Sequence, residues 1–93
     1  MTKNYHCGNL LSPALKELVD KKLAKLDKYE LTNANVDVHM TKEGLDYVLK
    51  MQLQSDELNL LAKAKSDDMY KNIDSCMDRL TSQLKEQKVR TMA

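Results

Sequence analysis

Three consecutive segments in the middle of the chain alternate apolar and polar residues, and this period of two constrains the fold more than any other feature. The segments are Asn35–Met40, Tyr47–Gln54 and Leu58–Lys65, and short polar stretches around Gly44 and Asp56 separate them. Successive side chains of a β-strand point to opposite faces, so each segment is expected to be a strand with one buried face. Because short connections join antiparallel neighbours, the three segments predict a meander.

Apolar residues before the meander follow the helical period instead. Ser12 is a typical N-cap residue and Pro13 suits the first helical position, and the pattern continues to about Tyr29. The spacing predicts an amphipathic helix that buries one stripe. The residues of this stripe are Leu15, Leu18, Val19, Leu23 and Leu26.

A second helical pattern follows the meander. It opens at Ser-Asp-Asp, where Ser66 or Asp67 is expected to cap the free amides, and it runs to about Lys88. The residues predicted to face the core are Met69, Ile73, Cys76, Met77, Leu80 and Leu84.

A short first strand, Lys3–Cys7, precedes the first helix and completes the order β-α-β-β-β-α. Each strand has one apolar face and each helix one apolar stripe. The expected fold is therefore α+β, a two-layer domain in which both helices pack on the same face of a four-stranded sheet. The first helix would be a right-handed crossover between two parallel strands.

Composition narrows the possible functions. The 15 basic and 14 acidic residues nearly balance, so any nucleic-acid site would have to be a local basic patch. No apolar stretch reaches membrane-spanning length, and we expect a cytoplasmic protein. Cys7 and Cys76 lack metal-ligand spacing and are expected to be buried or half-buried thiols. No nucleophile, phosphate loop or carboxylate pair stands at an interpretable spacing, so no enzyme, metal site or cofactor is predicted.

One lysine interrupts the apolar stripe of the first helix. Lys22 projects into the middle of the stripe at about 100° per residue, so its charge has to reach water. We expect its ammonium to lie in the groove between the two helices, beside Lys21, Lys25 and Lys28. For the lysines other than Lys22, simple solvation of an exposed helix face, with pairs such as Glu17 and Lys21, explains the charges as well.

Two motifs suggest known families. The sequence KKLAK, residues 21–25, matches the KKxAK of double-stranded RNA-binding domains, although there it begins the last helix rather than the first. DMYKNID, residues 68–74, resembles the DMYxxID signature of the short ribosome hibernation promoting factors and the related ribosome-associated inhibitor (sigma-54 modulation protein) family. The segment LSPALKELVDKKLAKLDKY resembles the first helix of that family, in the same register.

The second resemblance implies a protein that binds the small ribosomal subunit in the channel where mRNA and tRNA are read. It would inhibit translation and promote ribosome hibernation under stress or in stationary phase. Its partners would be the small subunit with its rRNA and intact ribosomes, with no membrane and no small-molecule substrate. It would be a monomer off the ribosome. Residues 1–93 would form one ribosome-binding domain that lacks the C-terminal dimerisation domain of the long factors.

The resemblance also implies an rRNA-binding surface on the two helices. Its residues would be Lys22, Lys25, Lys28, Arg79, Lys88 and Arg90, with Lys85 in the same basic segment. The chain departs from the family at Ser82, commonly Arg, at Glu86, often basic, and in its short tail VRTMA. Fewer phosphate contacts predict weaker and less salt-sensitive binding.

Two alternatives to ribosome binding stay open at this stage. One is a stand-alone double-stranded RNA-binding module, on the strength of KKLAK. The other is a diverged protein-interaction domain that uses a small apolar patch, Val48 and Leu61, on the wetter face of the sheet. Asp37 and His39 share that face and are interpreted as ordinary exposed strand residues, whereas Tyr70 is expected to lie in the core.

Overall fold

The computed structural model describes residues 1–87 and has the predicted order of helices and strands. Short 3₁₀ turns at Gly8–Leu10 and Lys25–Lys28 flank the first helix. The strands and helices are β1 (Thr2–His6), α1 (Pro13–Ala24), β2 (Asn35–Glu43), β3 (Asp46–Gln54), β4 (Asn59–Ser66) and α2 (Met69–Glu86). Within this part of the chain no helix is long and apolar enough to cross a membrane.

The four strands form one mixed sheet in the order β1-β2-β3-β4. β1 pairs with β2 in parallel, and β2, β3 and β4 form the predicted antiparallel meander. A two-residue turn at Gly44 and Leu45 joins β2 to β3, and Gly44 has a positive φ of 61° that glycine adopts without steric penalty. The α+β prediction is confirmed.

One hydrophobic core lies between the sheet and the two helices. Every predicted residue of both apolar stripes is buried except Leu18, which is half-buried and packs against the core. The core continues through the inward residues of β2, β3 and β4, and it includes both cysteines as free thiols. Burial raises the pKa of the Cys76 thiol to about 11.

The first helix ends differently from the prediction. α1 stops at Ala24, and a 3₁₀ turn, Lys25–Lys28, covers the rest of the expected span. Leu23, Leu26 and Tyr29 are all buried. The spacing of three residues matches the period of the 3₁₀ turn, so Leu26 and Tyr29 both face the core.

The capping residue of α2 also differs from the prediction. Asp68, rather than Ser66 or Asp67, accepts the first free amide, with Tyr70 N at 2.9 Å from its Oδ1. Ser66 Oγ instead donates to the Asn72 side-chain oxygen at 2.7 Å and accepts the Asp68 amide at 3.2 Å. The cap therefore falls on the first residue of the DMYKNID motif.

The exposure of Tyr70 differs from the prediction, and the burial of Asn72 was not predicted. Tyr70 is 49 % exposed and does not belong to the core, whereas Asn72, two residues later, is 1 % exposed. The Asn72 amide donates to the Tyr47 carbonyl at 2.9 Å and accepts from Ser66 Oγ at 2.7 Å, which satisfies its polar atoms inside the protein.

Candidate nucleic-acid interface

Lys22 lies at the predicted place, the seam between α1 and α2. Its ammonium Nζ is 3.1 Å from Oδ1 of Asp74, the last residue of the DMYKNID motif. The Lys22 side chain is 29 % exposed, so its stem lies against the protein while its charge reaches the surface. The ion pair links the two helices directly and holds a cation at the mouth of the seam.

The opposite flank of α1 is anchored to β1. Tyr5 donates a hydrogen bond to Asp20, and Lys16 and Lys3 lie 3.2 and 3.5 Å from the same carboxylate. Burial, and then the bond to Asp20, raises the pKa of Tyr5, while the bond from Tyr5 lowers the pKa of Asp20. With Asp20 held by β1 and Lys22 held by α2, α1 is fixed in rotation about its axis.

Lys25 and Lys28 stand at the two ends of the 3₁₀ turn that follows α1. Residues three apart eclipse each other in a 3₁₀ helix, so both lysines lie on one side of the turn. Both are exposed, and neither forms an ion pair with any residue in 1–87. Lys28 Nζ lies 5.4 Å from the centre of the Tyr29 ring. These two ammonium groups are available to an anionic partner.

The basic residues of α2 fall on two different flanks of that helix. At about 100° per residue, Lys85 lies about 20° from Asp74 around the axis, on the seam side, whereas Arg79 lies about 140° away. The Arg79 guanidinium donates to the Lys63 carbonyl on β4. Lys85 therefore lies on the flank of α2 that carries Asp74, about three turns further along the helix, and Arg79 lies at the edge of the sheet, so the predicted set is divided.

A second side chain of α2 bonds β4 beside Arg79, and the sequence analysis did not predict it. Gln83, one helical turn later, donates to the Leu61 carbonyl at 3.0 Å. β4 is an edge strand, and these two side chains cover carbonyls that would otherwise invite pairing with another strand. One signal in the sequence could have predicted these contacts. It is the spacing of four residues between Arg79 and Gln83, two long polar side chains on the helix beside the edge strand.

Two departures from the family and two further predicted basic residues remain to be placed. Ser82 and Glu86, where the family is commonly basic, are both exposed on α2. Lys88 and Arg90 lie outside the described residues. Lys22, Lys25, Lys28 and Lys85 are called the helix-side lysines below.

The alternatives find little support in the geometry. KKLAK spans the end of α1 and the first residue of the following turn, ahead of the meander rather than after it. Leu61 is 51 % exposed, but Val48 is only 5 % exposed, so the expected apolar patch reduces to one side chain. Within residues 1–87 no group of three or more His, Cys, Asp or Glu side chains is arranged to hold a metal ion.

Comparison with known proteins finds one family model and several relatives that are similar to this chain. The family model described as sigma 54 modulation protein / S30EA ribosomal protein matches residues 9–92. The chain is 32 % identical over 74 residues to ribosome-associated factor Y of Haemophilus influenzae, covering 80 % of this chain and 69 % of that protein. It is 35 % identical over 74 residues to the ribosome hibernation promoting factor of Pseudomonas putida, covering 80 % and 72 %.

A solved structure shares the fold as well. The ribosomal subunit interface protein of Coxiella burnetii is 31 % identical and superposes with a TM-score of 0.75, over 95 % of this chain and 98 % of that one. The shared architecture thus extends over both helices and the whole sheet.

Proposed function

This chain belongs to the sigma 54 modulation protein / S30EA ribosomal protein family, and we propose that it binds the small ribosomal subunit at the channel where mRNA and tRNA are read. The helix-side lysines face ribosomal RNA. Occupancy of that channel inhibits translation and promotes ribosome hibernation under stress or in stationary phase. The names of the relatives, a ribosome-associated factor and a hibernation promoting factor, support ribosome binding.

The Lys22–Asp74 pair carries the proposal. A lysine within an apolar stripe is expensive to bury, and here its charge emerges at the seam, 3.1 Å from an acid on the other helix. Lys25 and Lys28 continue the positive charge along the 3₁₀ turn. A core-packing role would be served by leucine at position 22, so a lysine there is explained by a partner that carries phosphate.

The mechanism needs no chemical step. A domain fixed by one continuous core presents lysines at set distances, and RNA is recognised through its phosphates and its shape rather than its base sequence. The domain then excludes mRNA and tRNA by occupying their volume. On this proposal the protein acts in the cytoplasm as a single ribosome-binding domain, which is a monomer off the ribosome and needs no cofactor.

Ser82 and Glu86 set the expected strength of binding. Each replaces a basic position of the family with a neutral or acidic side chain, and both are exposed. Each phosphate neutralised by a protein contributes about 0.7 to 0.9 to the log–log slope of affinity against salt. The proposal therefore includes weaker salt dependence than in relatives that are basic at both positions.

Co-sedimentation with purified small subunits across a salt series tests the proposal. The double variant Lys22→Glu, Lys25→Glu should lose binding. The double variant Lys25→Glu, Lys28→Glu should also lose binding, and it leaves the Lys22–Asp74 pair intact. The control Lys42→Glu, Lys71→Glu makes the same change in net charge outside the helix-side lysines and should bind as the unchanged protein does.

Three results would contradict ribosome binding at this surface. One is absence of binding at low salt by a folded protein. Another is equal loss of binding in the control variant. The third is binding that does not compete with mRNA and initiator tRNA on the subunit.

A further inference from the structure

The face of the sheet opposite the helices is a second surface, and its charges are arranged rather than scattered. Within residues 1–87 both helices pack on the other face, and the outward side chains of the four strands are mostly exposed or half-buried. The strand register alone decides which of these outward residues become neighbours. The proposal above assigns this face no role.

Four basic residues form one row across all four strands. His6 on β1 stands opposite His39 on β2, His39 opposite Lys50 on β3, and Lys50 opposite Lys63 on β4. Strands lie about 4.8 Å apart, so the row spans about 14 Å across the sheet. We call these four residues the sheet row.

The β4 end of the sheet row is positively charged. Neither Lys50 nor Lys63 forms an ion pair with a residue of the described chain, 1–87. The Arg79 guanidinium, bonded to the Lys63 carbonyl, adds a cation where the row meets the edge of β4. Lys65, on the same face, is already paired with Glu43 at 3.2 Å. The unpaired positive charge therefore lies along the row itself.

The β1 end of the sheet row is aromatic. The His6 and His39 rings stack with centroids 4.5 Å apart and planes inclined by 13°. The His6 side chain is 53 % exposed, and its Nε2 lies 3.5 Å from Asp37 Oδ1. Because β1 is an edge strand, no strand of the described residues 1–87 lies beyond the second face of the His6 ring. That open ring face can accept another flat group.

We propose that the sheet row binds single-stranded RNA, which crosses the strands from the edge of β1 to the edge of β4. A base stacks on the open face of the His6 ring, and the phosphates that follow lie over Lys50, Lys63 and Arg79. Base stacking on aromatic rings together with lysine contacts to phosphate is the usual chemistry of single-strand recognition. The exposed Leu61 lies one row away, beside Gln52, where it offers apolar contact to a second base.

An acidic peptide is the competing occupant, and the ring pair argues against it. Carboxylates would pair with Lys50, Lys63 and Arg79, but they would not stack on the open imidazole face at the other end of the row. The surface is also distinct from the helix-side lysines. The protein would thus contact ribosomal RNA with its helices and a second RNA strand with its sheet.

The test is fluorescence anisotropy with a short labelled oligouridylate, which has no stable structure, across a salt series. Lys50→Glu, Lys63→Glu should weaken binding and lower the log–log salt slope by about 1.4, at about 0.7 for each phosphate of a single strand. The milder Lys50→Gln, Lys63→Gln guards against misfolding and should shift the slope in the same direction. Lys42→Glu, Lys71→Glu, with the same charge change outside the row, should leave the slope unchanged.

A second pair of variants separates stacking from charge. His6→Ala should weaken oligouridylate binding about fivefold or more, the usual effect of losing one base–ring stack, and His6→Phe should restore it. Amide chemical shifts should move on β3 and β4 on titration, rather than on α1.

Several outcomes would overturn the sheet row as an RNA site. One is a loss of oligouridylate affinity in the control variant as large as in Lys50→Glu, Lys63→Glu. Another is a change of amide chemical shifts confined to α1 and the 3₁₀ turn after it. The third is binding of oligoglutamate as tight as that of oligouridylate. The assay contains no ribosome, and the variants that test ribosome binding leave the row intact. Failure of one proposal is therefore distinguishable from failure of the other.

Discussion

Lys22 on α1 and Asp74 on α2 form an ion pair across the seam between the helices, with 3.1 Å between Nζ and Oδ1. The pair joins the two segments that resemble the hibernation factor family, the first helix and the DMYKNID motif. On the proposed function Asp74 has two effects on Lys22. It positions the ammonium at the surface, and it competes with RNA phosphate for the same charge.

Removing the carboxylate of Asp74 should therefore tighten ribosome binding. Asp74→Asn leaves the Lys22 ammonium free for phosphate, whereas Lys22→Gln should weaken binding. Both should change the free energy of unfolding by no more than about 1 kcal/mol, because the ion pair lies at the surface, where the Asp74 side chain is 64 % exposed. Co-sedimentation in a salt series and urea unfolding measure the two effects. If Asp74→Asn weakens binding as much as Lys22→Gln, the pair acts as a unit and Asp74 is not a competitor.

Asn72 should be one of the most sensitive polar positions of the fold. It is buried, and its amide joins the start of α2 to the Tyr47 carbonyl and to Ser66. Asn72→Ala removes these bonds and leaves the carbonyl unsatisfied, so we expect a loss of about 1–3 kcal/mol in the free energy of unfolding. Chemical denaturation measures it, with the exposed neighbour variant Lys71→Ala as control. A loss no larger than that of the control would show that water replaces the amide at no net cost.

Loss of the side chains that cover the edge of β4 should promote self-association. Arg79→Ala, Gln83→Ala exposes the Lys63 and Leu61 carbonyls, and an uncovered edge strand favours pairing with another chain. We expect faster growth of light scattering on heating than in Ser82→Ala, Glu86→Ala, which alters exposed residues of the same helix. Equal scattering by the two variants would mean that the edge is protected by the twist or length of β4 instead.

Glu57 should titrate near pH 2 in the folded protein. Its carboxylate accepts the Thr32 amide at 2.9 and 3.0 Å. Hydrogen bonding from the Thr32 side chain, and then from its amide, lowers the pKa of Glu57 from 4.5 to about 2. Because the pKa of Glu57 is lower in the folded than in the unfolded protein, its ionised carboxylate stabilises the fold. This contribution is fully present above about pH 4.5 and is lost as pH falls through about 2. A carboxyl NMR titration and the Thr32 amide shift report it. Glu57→Gln should remove the pH-dependent change in the Thr32 amide shift. A Glu57 titration midpoint near pH 4.5 would show that the hydrogen bonds between Thr32 and Glu57 do not form in solution.

Secondary structure was predictable because it depends on local periodicity. The alternation around Val36 and Val38 and the stripe from Leu15 to Leu26 each identify an element whatever surrounds it. Boundaries were less predictable. The helix cap fell on Asp68 rather than on Ser66 or Asp67, and the first helix tightened into a 3₁₀ turn after Ala24, because local signals leave the exact ends of a helix open by one or two residues.

The candidate site was predictable only in part. That Lys22 had to escape the core followed from its position in the stripe, and its place at the seam is confirmed. Its partner Asp74 and the separation of Arg79 from the seam were not predicted, because both depend on how α2 is rotated against α1 and β4. The burial of Val48 and the exposure of Tyr70 were likewise decided by neighbours distant in sequence.

The sequence by itself determined the order of the elements, the face that each one buries and the need of one lysine for an exit to water. These properties follow from the period of the apolar residues and from the cost of burying a charge, both of which are local. Only the tertiary structure decided which charges meet. Strand register aligned His6, His39, Lys50 and Lys63, and helix packing set Lys22 against Asp74. Contacts between residues far apart in the chain depend on the whole packed core, which no single segment encodes.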